Sequence, residues 1–140
     1  MYKICAVRKV EGVYKKYSSN VGDLSDVYTI AVKLGLKNGY ILEDNSPWGT
    51  INSEGVIDRI DYRMAISPRL EELSNTSSAY IVHGISLNKE KYTCQCVELS
   101  SVNMERALGF VYDYKITNGF IELGSNICAL IDSEGFVTEL

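Results

Sequence analysis

What most constrains this chain is a stretch that it contains twice. Asn38-Gly39-Tyr40-Ile41 is followed ten residues on by Ile51-Asn52-Ser53-Glu54-Gly55-Val56-Ile57. The same order returns as Asn118-Gly119-Phe120-Ile121 and Ile131-Asp132-Ser133-Glu134-Gly135-Phe136-Val137, at a constant offset of 80 residues. Seven of the 23 positions from 38 to 60 are identical to those 80 further on. Unrelated sequences would share about one or two at ordinary residue frequencies. The spacing reads as an internal duplication.

The repeated residues have local jobs. Asn-Gly after a helical pattern supplies the left-handed residue that ends a helix. Asn/Asp-Ser-Glu-Gly between two β-rich runs fits a type I turn, with Gly in the positive-φ position of a bulged hairpin. In that setting Glu54 and Glu134 are turn residues rather than catalytic acids.

Around these anchors the elements fall into two similar sets. Residues 2–9 and 13–18 read as strands joined at Gly12. Asp23 caps a helix whose apolar face is Leu24, Val27, Tyr28, Ala31 and Leu34. Short strands follow at 40–43, 48–51 and 56–60. In the second set, 79–87 and 91–99 are strands, Asn103 caps, and Met104, Ala107, Leu108, Val111 and Tyr112 form the helix face. At the front the match is offset by 78, placing Tyr2 on Tyr80, Ile4 on Val82, Val7 on Ile85 and Tyr14 on Tyr92. Between the sets, Ser67-Pro68 opens a short helix over 67–73, and 74–78 is a polar surface linker.

The expected fold is therefore α+β. It consists of two tandem ββαβββ repeats with antiparallel sheets, each covered by one helix, packed with pseudo-two-fold symmetry. The units are 1–62 and 79–140, with 63–78 as a connector containing the short helix. A unit of about 60 residues buries little apolar surface alone, so the two are expected to share a core.

Charge and cysteine content exclude several function classes. The net charge is −4, with seven Lys/Arg against three Asp/Glu in residues 1–40 and seven against fifteen in 41–140. An acidic chain argues against broad nucleic-acid binding. No apolar run approaches transmembrane length, and the opening residues lack the apolar core of a signal peptide. A cytoplasmic location is expected. There Cys5, Cys94, Cys96 and Cys128 stay reduced. Cys94-x-Cys96 lacks zinc spacing, so these thiols read as small buried apolar groups, and no metal or cofactor is expected.

The opening Ile4-Cys5-Ala6-Val7-Arg8, Gly12 and the helix from Asp23 resemble a family of small uncharacterised bacterial and phage domains. The resemblance covers about residues 2–60. It implies a small domain of that type and carries no activity.

Candidate sites are few. His83, the one histidine, aligns with Cys5 and reads as a core or interface residue. Arg8, Lys9, Lys15 and Lys16 gather on the first hairpin with Tyr14 and Tyr17 interleaved. That pattern can hold an acidic protein surface or a small anionic ligand, but lysine protection of an edge strand accounts for it more simply. Trp48, the one tryptophan, is either an exposed anchor for a partner or the plug of the inter-unit core. The expected function is that of a non-enzymatic binding protein of bacterial or phage origin that blocks or adapts a partner protein, of the anti-defence or immunity type. The alternative is sequestration of an anionic or nucleotide ligand at the first hairpin. Exposed edge strands and tyrosines are also compatible with a homodimer.

Overall fold

The computed structural model describes residues 1–61, 63–66, 79–88 and 93–140, the side chains of 63–66 excepted. The chain is α+β. The first half comprises β1 (Tyr2–Val10), β2 (Val13–Val21), α1 (Leu24–Leu34), β3 (Lys37–Glu43), β4 (Ser46–Ile51) and β5 (Ile57–Arg59). After β6 (Arg63–Ile66), the second half comprises β7 (Tyr80–Asn88), β8 (Thr93–Ser101), α2 (Met104–Asp113), β9 (Ile116–Leu123), β10 (Asn126–Ile131) and β11 (Val137–Glu139). The short helix expected over 67–73 and the linker 74–78 lie outside the described residues.

The first sheet has the order β2-β1-β3-β4-β5 and is antiparallel throughout. The second has the order β11-β10-β9-β7-β8-β6. Its first five strands are antiparallel, and β6 joins the β8 edge in parallel. This strand corrects the expectation of purely antiparallel sheets, and it arises from residues that the sequence reading gave to a connector.

Alternation along the strands sorts the apolar residues into three layers. Ile4, Ala6, Ile41, Trp48 and Ile51 face Val27 and Ala31 of α1. Val82, Val97, Ile121 and Ala129 face Ala107 and Val111 of α2. The opposite faces meet in a shared middle layer, where Cys5, Val7, Tyr40 and Leu42 pack with Ile85, Cys94, Phe120 and Ile127. The order of layers is thus helix, sheet, sheet, helix. Burial on one stripe only explains why each helix is amphipathic. Tyr28 and Tyr112, expected on the packed faces, instead turn to solvent.

Both helix caps are as the sequence implies: Asp23 accepts from the Ser25 amide and Asn103 from the Arg106 amide. The helix stop is not. α1 ends at Gly35, whose φ of 64° closes the last turn, and Asn38-Gly39 lies inside β3. There Asn38 takes a φ of 50° and Asn118 one of 51°, and each begins a bulge opposite Ala6 or Gly84. A Cβ on Gly39 would overlap the Cys5 carbonyl, and one on Gly119 the His83 carbonyl. The motif therefore exists for a close strand approach. The other repeated motif behaves as expected. Gly55 and Gly135 have φ of 84° and 89°, and Asn52 Oδ1 and Asp132 Oδ1 each accept two turn amides at 2.9 Å.

The strand registers account for the two offsets. Tyr2 pairs with Glu43 and Tyr80 with Leu123, whereas Val10 pairs with Val13 and Asn88 with Thr93. The connection from β7 to β8 is therefore two residues longer than that from β1 to β2, so the offset is 78 before it and 80 after. Tyr14 consequently corresponds to Cys94, not to Tyr92.

Candidate functional site

The histidine, three of the four cysteines and one buried carboxylate lie in the middle layer. Glu122 sits on β9 beside Phe120, on a face otherwise apolar, and is almost fully buried. His83 on β7 donates from Nε2 to Glu122 Oε1 at 2.7 Å and stacks on Phe120 with ring centroids 4.6 Å apart. Lys16 reaches across from β2 of the other sheet and donates to the same oxygen at 3.2 Å. Burial pushes the Glu122 carboxyl up, but the His83 hydrogen bond and the charges of His83 and Lys16 outweigh it and hold the group below its usual value. The carboxylate is thus ionised and ties the two sheets together. His83 Nδ1 is buried without a hydrogen-bond partner among the described residues.

Three cysteines share this layer. The hydroxyl of Tyr40 lies within hydrogen-bond reach of both Cys5 and Cys96. Burial pushes the Cys5 thiol up, only partly offset by Tyr40, and pushes Cys94 to about 12 and Cys96 to about 11. These groups stay as thiols at neutral pH, the form that is a poor nucleophile. Cys94-x-Cys96 faces the apolar interior, as expected of small packing residues. No group of three or more His, Cys, Asp and Glu side chains among the described residues could hold a metal ion.

The first hairpin divides its charged residues between two faces. Arg8 pairs with Lys15 and lies on the α1 side, its guanidinium 5.9 Å from the Tyr17 ring centre. Lys9 pairs with Tyr14 on the opposite side, with its ammonium 5.3 Å from that ring. Lys16 is on that second side too, already engaged by Glu122. The counterparts in the second half are Ser86, Leu87, Gln95 and Cys96, so the cations occur once.

Trp48 is not an exposed anchor, nor does it plug the core between the halves. It is the extra residue of a bulge in β4, buried in the layer beneath α1. Tyr2 meets it edge-on at 6.1 Å, and Arg59 lies 5.6 Å above its ring. The side chains that do reach solvent are others. Tyr112 is 84% exposed, Val32 81% and Phe136 69%. Two surface hollows of about 320 and 420 Å³ flank the end of α2, lined by Asp113 and Lys115 in common.

The Lys16–Glu122–His83 cluster was not anticipated. A signal for it does exist: Glu122 stands 80 residues after Leu42, so one half places a carboxylate where the other has a core leucine. No protein-family model matches this chain, and neither a curated protein nor a solved structure does.

Proposed function

We propose that this chain is a non-enzymatic binding protein that blocks or adapts a partner protein, of the anti-defence or immunity type and of bacterial or phage origin. One observation carries the reading: among the described residues the histidine, three of the four cysteines and the carboxylate of Glu122 are enclosed between two sheets, while large apolar and cationic side chains occupy the outside. His83, Glu122 and three thiols have roles in packing the middle layer. Outside are Tyr112, Phe136 and Val32, together with Arg8, Lys9 and Lys15. Aromatic and arginine side chains are those that dominate protein–protein recognition.

The two halves descend, on this reading, from one duplicated ββαβββ segment. Supporting this are the matched sheet orders, the equivalent bulges opposite Ala6 and Gly84, and the left-handed Asn at 38 and 118. The first hairpin lost its likeness to its counterpart afterwards, and it is there that the recognition chemistry accumulated. Sequestration of a small anion draws less support, because Arg8 and Lys15 lie on the face opposite Lys9 and Lys16.

Immobilised protein, exposed to extracts of candidate bacterial hosts, is expected to retain one partner at fixed stoichiometry. The His83→Gln variant should retain it equally. Substrate turnover by the unaltered chain that disappears in His83→Gln would contradict the proposal.

A further inference from the structure

The two sheets end differently at equivalent edges. In the second sheet the outer edge of β8 is covered by β6, which runs parallel with Arg63 opposite Thr93, Met64 opposite Cys94, Ala65 opposite Gln95 and Ile66 opposite Cys96. In the first sheet the equivalent edge belongs to β2, nine residues long. Among the described residues no strand pairs with its outer side. Shifted by 80, the stretch that β6 covers becomes Val13, Tyr14, Lys15 and Lys16. Val13 is 58% exposed, and Lys15, Ser18 and Asn20 are exposed as well.

A row of free backbone amides and carbonyls in a long edge strand is a template for another strand. Main-chain hydrogen bonds would supply affinity, and the side chains on each face would supply selectivity. Here the selectivity has a sign. The sequence of β2 contains two lysines and no Asp or Glu. Arg8 of β1 sets a second cation beside Lys15 on one face, and Lys9 of β1 adds one on the other. Arg8 and Lys9 each lie over a tyrosine ring, which holds these side chains along the hairpin. Lys16 is already neutralised by Glu122. A second copy of β2 would bring like charges to the seam, whereas an acidic strand would complement it.

Resting on the binding-protein reading, we infer that β2 receives an extended acidic segment of the partner protein. The segment adds to the first sheet along Val13–Lys16 as β6 adds to the second. A carboxylate of the incoming strand lies beside Lys15, with Arg8 one strand further in on the same face.

The test uses the full chain and two synthetic eight-residue peptides, one alternating Glu with Thr and the other Lys with Thr. Hydrogen exchange of the β2 amides is followed on adding each. The acidic peptide is expected to slow exchange at alternate amides between Val13 and Val21 at least ~10-fold at saturation, as pairing of one strand edge implies. The basic peptide is expected to leave them unchanged. In the Arg8→Glu/Lys15→Glu variant the preference should reverse. Absence of protection in β2, or equal protection by both peptides, overturns the inference. So does protection without peptide accompanied by a doubled mass in light scattering, which assigns the edge to a second copy. A natural partner retained equally by the unaltered chain and by the charge-reversed variant overturns the edge assignment while the binding-protein reading stands. Failure of that reading shows instead as His83-dependent turnover.

Discussion

A carboxylate placed between two sheets decides much of what the middle layer can be. Glu122 holds His83 and Lys16 on a single oxygen, and its lowered carboxyl value fixes the sign of the pH dependence. A group with a depressed folded value stabilises the fold above its unfolded pKa of about 4.3 and loses that contribution as pH falls through the folded value. Glu122→Gln is therefore expected to cost about 1.5–3 kcal/mol at neutral pH. It should also flatten the fall in stability on acidification below pH 4.3, measured by urea unfolding across pH. An unchanged acid limb would show the carboxylate to be uncoupled from folding. This residue was legible only as a departure from a pattern. Repetition identifies core positions, and Glu122 is visible as the place where the second half breaks with Leu42. The hydrogen bonds that make such a break tolerable depend on Lys16, which is more than a hundred residues away in sequence and on the other sheet.

Elements were legible where local chemistry sets them. Asp23 and Asn103 as caps, the Ser-Glu-Gly turns and the β1–β2 hairpin at Gly12 all follow from neighbouring residues. Asn38-Gly39 misled, because the same dipeptide suits a helix end and a bulge, and only the approach of β1 selects the second. The true stops are Gly35 and, 80 residues on, Lys115, which takes φ of 52°. Their amides donate alike, Gly35 to the Val32 carbonyl and Lys115 to that of Tyr112, both at 3.3 Å. A left-handed conformation costs an ordinary residue about 1 kcal/mol, and Gly little. Lys115→Gly should thus stabilise the protein by ~0.5–1 kcal/mol and Gly35→Ala destabilise it by about 1 kcal/mol, read from denaturant midpoints. Strand β6 could not be foreseen, since its four residues carry no alternation distinguishing an edge strand from a linker.

At the scale of the molecule, two halves too small to stand alone share one interior. Two roughly similar halves were legible from the Asn-Gly and Ser-Glu-Gly repeats, and the shared layer from the surplus apolar face of each half. The content of that layer was not, because polar residues gathered from β2, β7 and β9 have no common spacing. If the layer is a structural joint and not a cleft, damage to one half must be felt in the other. Trp48 reports on the first half from beneath α1, whereas Phe120 belongs to the second and is fully buried in the joint. The most direct measurement is guanidinium unfolding of Phe120→Ala followed by Trp48 fluorescence. The account predicts a single transition, coincident with that seen by circular dichroism, lowered by about 3–5 kcal/mol. A Trp48 transition left at its original midpoint while the second half unfolds separately would contradict it.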